Sequence, residues 1–211
     1  MPSRMSKFVL PKIYPITDVH ASGISHAEQV EKLIHGGANF IQIREKYSSP
    51  RDFYESAEKA LNIAGKHNAL IIINDRVDIA LALKADGVHL GQDNLPPEHA
   101  RRILGESAII GFSTHSAEQA IEALSLPIDY IAIGPIFPTK TKKNPDAPLG
   151  LAGLTRVREA VGNFPLVAIG GIRAENLAEV FNAGADSVAI IGDLISDAAD
   201  ITRKMQQLLR L

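Results

Sequence analysis

The sequence predicts an α/β protein, a single (β/α)8 TIM barrel spanning residues 1–211. Three observations carry that prediction. Short β-rich runs alternate with longer amphipathic helical patterns, in units of roughly 25 residues. Most of the runs are apolar almost throughout, as strands buried on both faces of a parallel sheet are. No linker or shift in composition divides the chain. A doubly wound open sheet is the alternative, but it usually shows a G-x-G-x-x-G turn after its first strand, and this chain reads ITDVHASG there.

The strand candidates are Ile13–Thr17, Phe40–Arg44, Ala69–Asn74, Gly87–Gly91, Ala108–Ser113, Tyr130–Gly134, Pro165–Gly170 and Ser187–Ile191. The helix HAEQVEKLIHGGA sets Val30, Leu33 and Ile34 on one stripe and stops at Gly36–Gly37. SPRDFYESAEKALNIAGKHN opens with Ser49–Pro50, a favourable helix start. AENLAEVFNAGAD turns Leu177, Val180 and Phe181 inward, with Gly184 beyond its end, and DAADITRKMQQLLR supplies the last helix.

The chain is 45% hydrophobic, enough for a substantial core, and its net charge of −2 argues against a general nucleic-acid or membrane-surface binder. It has no cysteine, hence no disulfide, thiol nucleophile or thiolate metal site. The opening MPSRMSKFVLPKIYP has too short an apolar stretch for a signal peptide or spanning helix. The expectation is a soluble, cytoplasmic protein. Barrels of this kind often pair, which leaves a homo-oligomer open.

Reactive residues of such a barrel sit at the C-terminal strand ends and in the loops that follow. The second strand delivers Gln42, Arg44 and Lys46 to one side by alternation, a set that suits a polyphosphate or, read plainly, ordinary surface charge with Glu45 pairing a neighbour. The third ends in Asn74–Asp75–Arg76, where Asp75 is expected to cap the helix VDIALAL or to pair with Arg76. The fourth brings Asp93 and Asn94, which could cap the next helix near Pro96–Pro97. Oxygen ligands on neighbouring strand ends also suit Mg2+, which leans on substrate phosphates. Ser113 ends the fifth strand, as a ligand to a heterocycle or a cap for AEQAIEAL. His89 and His115 lack metal-ligand spacing and are read as structural.

The sixth strand runs into GPIFPTKTKK, Gly134 to Lys143, which is either a solvated basic loop or a phosphate grip, with hydroxyls from Thr139 and Thr141 and charge from Lys140, Lys142 and Lys143. Gly170–Gly171 and Ile191–Gly192 end the last two strands, where barrels commonly bind phosphate on backbone N–H groups. The strand ends thus offer two anion sites, one suited to a monophosphate and one, more strongly charged, to a diphosphate. No residue stands out as a nucleophile, so stabilising a departing diphosphate would be the main catalytic term.

The blocks QIREK, INDRVDIAL, ADGVHLGQD, GFSTH, GPIFPTKTKK and AIGGI, in that order, resemble the thiamine phosphate synthase family over nearly the whole chain. The resemblance implies coupling of a hydroxymethylpyrimidine diphosphate to a thiazole phosphate. Diphosphate would leave first, and the thiazole nitrogen would capture the pyrimidine carbocation. By position it implies that Gln42, Arg44, Lys46 and Asn74 hold the pyrimidine diphosphate, Ser113 its ring side and Lys142 the diphosphate. Arg44, Lys46 and Lys142 then carry the catalytic charge. Asp75 would bind Mg2+, and Thr139, Thr141, Gly171, Ile191 and Gly192 would cradle the thiazole phosphate.

Two positions depart from the family. Asn94 stands where a second acidic Mg2+ ligand is usual, with Asp93 the candidate substitute, and Gly192 stands where serine is usual. A TenI-like thiazole phosphate tautomerase is the runner-up, disfavoured by Pro135 and by the full QIREK and NDR blocks. A non-catalytic phosphate-ligand binding protein is the third reading.

Overall fold

A computed structural model describes residues 9–139 and 146–211. Its strands are β1 (Ile13–Thr17), β2 (Phe40–Ile43), β3 (Leu70–Asn74), β4 (Gly87–Leu90), β5 (Ile109–Thr114), β6 (Tyr130–Ile133), β7 (Leu166–Ile169) and β8 (Ser187–Ile190). They pair in parallel in sequence order, and β8 returns to β1 through Ile13↔Val188 and Tyr14↔Ala189 to close the barrel. Each strand lies within one residue, at either end, of the run that alternation marks out.

The helices α1 (Val19–Ser22), α2 (His26–His35), α3 (Pro50–Lys66), α4 (Val77–Leu83), α5 (Pro97–Leu104), α6 (Ala117–Ala123), α7 (Gly150–Val161) and α8 (Leu177–Asn182) fill the connections. After β8 come a short α9 (Gly192–Ile195) and α10 (Ile201–Leu208). Sequence reading extends the last helix back to Asp197, but Asp197 to Asp200 form a turn, with the Ala199 N–H on Asp197 Oδ1 at 3.0 Å. The starts of α2 and α3 are set locally. Ser25 and Glu28 form a reciprocal capping box, and Ser49 caps α3 with Pro50 in its first turn.

Alternation divides the side chains into two layers. Ile41, Ile43, Ile71, Ile73, Val88 and Ile110 pack outward under the helices. Tyr14, Ile16, Phe40, Ile72, Ile109, Tyr130, Ala132, Val167 and Ala189 fill the barrel interior. The Tyr130 ring needs Gly111 beside it, because a Cβ at 111 would sit 2.0 Å from Tyr130 Cζ.

The N-terminal end of the barrel is riveted by a repeated device. Asp86, Asp129 and Asp186, each just before an even-numbered strand, accept the N–H of Ile71, Ile110 and Leu166 on the preceding strand at 2.7, 2.7 and 2.8 Å. Arg101 and Arg158 reach in from α5 and α7 to pair with Asp129 and Asp186. Arg101, only 5% exposed, also donates to the Pro127 carbonyl. These fixed charges sit away from the mouth, where conservation of structure rather than chemistry is the expected use.

His26 opens α2 fully buried, its Nδ1 2.7 Å from Thr17 Oγ1 and its Nε2 3.6 Å from Glu45 Oε2. Burial pushes the imidazole pKa down, against the pull of Glu45 and Asp18, so the ring is held neutral. Burial works to raise the Glu45 carboxyl, but the N–H groups of Tyr47 and Ser48 and the nearby imidazole outweigh it and hold it low. The two groups therefore act in different windows. A histidine whose folded pKa is depressed costs no stability above its ordinary value of 6.5 and progressively more below it, because the unfolded chain takes the proton first. The melting temperature is expected to fall as the pH drops below about 6.5, and His26→Asn should flatten that fall. An unchanged slope in thermal melts across this range would place the acid sensitivity elsewhere.

Candidate active site

The inward parity of the strands carries on to the mouth. Gln42 follows Phe40, Asn74 follows Ile72, and Ser113 follows Ile109 and Gly111, so each is the last inward-facing position of its strand. Gln42 is 2% exposed and its Nε2 donates to the Tyr14 hydroxyl at 2.9 Å. Ser113 Oγ lies 2.8 Å from His89 Nε2. Asn74 is buried, and its Nδ2 has no hydrogen-bond partner among the described residues. A buried amide donor left open costs free energy unless something else accepts from it.

Beyond the strand ends stand two ion pairs. Arg44 pairs with Asp18, and both are largely buried. Asp18 is itself the N-cap of α1: its Oδ1 accepts from the Ala21 N–H at 3.0 Å, and its own N–H donates to Gln29 Oε1 at 3.0 Å. The carboxylate is thus locked before Arg44 reaches it. Lys46 pairs with Asp75 in the second ion pair. Asp75 takes a left-handed conformation, φ 63°, which a short polar residue tolerates, and its N–H donates to the His89 carbonyl at 2.8 Å.

That geometry corrects several expectations. Asp75 neither caps α4 nor pairs with Arg76: the cap position is Arg76, without a side-chain bond, and Arg76 pairs with Asp78. The positive φ turns the Asp75 carboxylate toward Lys46. Ser113 does not cap α6, a role taken by Ser116. Asp93 and Asn94 do not cap α5, whose N-cap is Pro96. Asn94 instead folds back, its Oδ1 accepting the Gly91 N–H at 2.6 Å, while Asp93 is exposed. His89 is more than a filler of the core, since it contacts Ser113 directly.

The strand ends of β6 and β7 are held together by close backbone packing. A Cβ at Gly134 would lie 2.2 Å from the Ile169 carbonyl oxygen, and one at Gly171 (φ 64°) 2.6 Å from the Pro138 carbonyl oxygen. The Ile136 and Phe137 N–H groups donate to Ile169 and Gly170 at 2.9 and 3.0 Å. GPIFPT and AIGGI therefore lie against each other, which brings half-buried Thr139 next to Gly171. Ile191 is the N-cap of α9 and Gly192 its first residue. Thr141 and Lys142 lie outside the described residues.

As a metal site the mouth is sparse. Among the described residues no three His, Asp or Glu side chains cluster as a cation cage. The Asp75 carboxylate is paired with Lys46, and the Asn94 amide oxygen accepts the Gly91 N–H. No helix among the described residues is long and apolar enough to cross a membrane.

Fold and site together make a closed parallel barrel with cations just beyond β2 and glycines after β7. The family model described as thiamine monophosphate synthase matches residues 13–194, and the chain belongs to that family. A thiamine-phosphate synthase of Clostridium novyi is 46% identical over 187 residues, 88% of this chain and 91% of that protein. One from Chloroflexus aurantiacus is 42% identical over 93% of this chain and 90% of its own length. Among solved structures, a thiamine phosphate pyrophosphorylase from Pyrococcus furiosus superposes with a TM-score of 0.84 at 37% identity, covering 94% of both chains.

Asp18→Asn keeps the α1 cap but leaves Arg44 without its counter-charge. It is expected to cost about 1–3 kcal/mol of stability. Inorganic diphosphate should then raise the melting temperature of the variant more than that of the parent, since it replaces the lost carboxylate. Equal shifts in the two proteins would place the anion away from Arg44.

Proposed function

We propose that the chain joins a hydroxymethylpyrimidine diphosphate to a thiazole phosphate, releasing diphosphate and forming thiamine phosphate. The observation that carries this reading is the mouth itself. Arg44 and Lys46 sit beside neutral ligands from Gln42, Asn74 and Ser113, and Gly171 with Thr139 offers a separate backbone-lined site.

The chemistry follows from those groups. The bond between the pyrimidine methylene carbon and the diphosphate oxygen breaks, and its electron pair leaves with the oxygen. Arg44 and Lys46, with Lys142 from the β6–α7 connection, balance the growing negative charge, a stabilisation that strengthens as water is excluded. The thiazole nitrogen donates its lone pair to the methylene carbon, so no protein nucleophile is required. The open Asn74 Nδ2 donates to the pyrimidine diphosphate, and Ser113 holds its ring. Thr139, Thr141, Gly171, Ile191 and Gly192 hold the thiazole phosphate in place for capture.

Mg2+ belongs to this reading, with Asp75 and the Asn94 amide oxygen as its protein ligands and Asp93 as the candidate substitute. When bound, it adds positive charge to the diphosphate oxygens. Lys46, paired with Asp75 in the ligand-free protein, is then free to turn to the diphosphate. Asparagine brings no charge, so a weakened metal affinity is expected relative to an acidic residue at 94.

The test is turnover of both phosphorylated precursors with Mg2+, measured as thiamine phosphate and diphosphate formed in equal amounts. Isomerisation of the thiazole phosphate without coupling would make the chain a tautomerase. Saturable binding with no product would make it a binding protein. In the same assay Asn94→Asp should lower the Mg2+ concentration giving half-maximal rate, and an unchanged Mg2+ dependence would remove residue 94 from the metal site.

A further inference from the structure

Side chains from β2, β1, β6, β4 and β5 form one unbroken hydrogen-bonded line through the barrel interior. Gln42 Nε2 donates to the Tyr14 hydroxyl at 2.9 Å. The Tyr14 and Tyr130 hydroxyls are 2.9 Å apart. Tyr130 reaches His89 Nδ1 at 3.0 Å, and His89 Nε2 reaches Ser113 Oγ at 2.8 Å. Gln42, Tyr14, Tyr130 and His89 are all buried. The two ends of the line, Gln42 and Ser113, are both residues at the mouth.

Proton counting gives the line a direction. Each phenol has one proton, and a neutral imidazole has one N–H and one lone-pair nitrogen. Burial holds both tyrosines well above the ordinary phenol pKa, so neither loses its proton. An amide NH2 only donates. Tyr14 therefore accepts from Gln42 and gives its proton to Tyr130, and Tyr130 gives its own to His89 Nδ1. His89 then carries its proton on Nε2 and donates to Ser113 Oγ. The hydroxyl proton of Ser113 is left to point into the mouth. Turning the Gln42 amide over reverses every step: Ser113 would donate to His89 and offer the mouth only a lone pair.

We infer that this line is a directional coupler, in which the orientation of the Gln42 amide fixes the tautomer of His89 and thereby makes Ser113 a donor toward the bound heterocycle. Tyr14, Tyr130 and His89 are positioning residues, and the coupler selects a heterocycle that presents an unprotonated ring nitrogen, an acceptor, to Ser113. A ring presenting a protonated nitrogen there meets a second donor and is disfavoured. The inference rests on the reading of Gln42 and Ser113 as pyrimidine diphosphate ligands.

Nitrogen-15 NMR of the histidines in the ligand-free full chain tests the direction without any substrate. His89 is expected as the neutral Nε2–H tautomer with a lone-pair Nδ1. An Nδ1–H tautomer, or an imidazolium at neutral pH, would overturn the direction whatever the protein catalyses. Tyr130→Phe removes one hydroxyl and keeps the ring stacked on His89, 5.5 Å between centroids. It should mix the two tautomers and raise KM for the pyrimidine diphosphate roughly five- to tenfold, as the loss of one neutral hydrogen bond does, with KM for the thiazole phosphate unchanged.

Adding Ser113→Ala should abolish that difference, because the tyrosine acts through the serine. Full additivity of the two substitutions would overturn the coupling, as would a mixed tautomer with an unchanged pyrimidine KM. Tyr14→Phe breaks the line farther from Ser113 and is expected to reproduce the tautomer change, which keeps the test open if Tyr130→Phe does not fold. A retained single tautomer in folded Tyr14→Phe would overturn the inference. If the parent fails to couple the two precursors while His89 shows the expected tautomer, the functional reading fails and the line stands.

Discussion

When β8 hydrogen-bonds to β1, the sheet loses both of its edges and all eight carboxyl ends face one way. This closure brings residues from Gln42 to Gly192 to one mouth, although no local contact joins most of them. It also fixes the parity of every strand. Phe40 and Gln42 share a face, as do Ile72 and Asn74, so the packing that seats the apolar members aims the polar ones. Slipping β2 or β3 by one residue would bury Gln42 or Asn74 under the helices and turn an isoleucine to the lumen.

The two ends of the barrel handle polar groups in opposite ways. At the N-terminal end Asp86, Asp129 and Asp186 are saturated by strand N–H groups, two of them also by arginine. At the C-terminal end Asn74 keeps an open donor, Asp75 holds a left-handed backbone, and Arg44 and Lys46 are paired to carboxylates whose place an anion can take. Unsatisfied or strained groups gathered at one face are a liability for folding alone and an asset for a ligand site. Between the ends, the interior carries the hydrogen-bonded line from Gln42 to Ser113, so the core that stabilises the barrel also joins two strand ends.

Most of the fold was legible because strands buried on both faces read as apolar runs, and because Ser49–Pro50 announces α3 locally. Gln42 and Ser113 were legible as strand-end residues, and each is the last inward-facing position of its strand. What the sequence hid depended on long-range geometry. Asp75 looked like a cap or a partner of Arg76, and only the folded barrel shows it paired with Lys46. Asp18 drew no notice in the sequence, because its role as the partner of Arg44 spans 26 residues. Tyr14 and Tyr130, 116 residues apart, meet only across the closed lumen. Inward parity, counted back from Gln42 and Ser113, is the signal that points to Phe40, Gly111 and Ile109. The tyrosines and His89 would emerge from the same count on their own strands.

The account stands on two anions docking side by side at one mouth. A crystal structure of the chain soaked with Mg2+, diphosphate and the thiazole phosphate tests this most directly. The diphosphate is expected against Arg44 and Lys46 with the metal at Asp75, and the monophosphate against Thr139, Gly171 and the start of α9. Either anion bound outside the ring of strand ends, or both competing for one position, would contradict it.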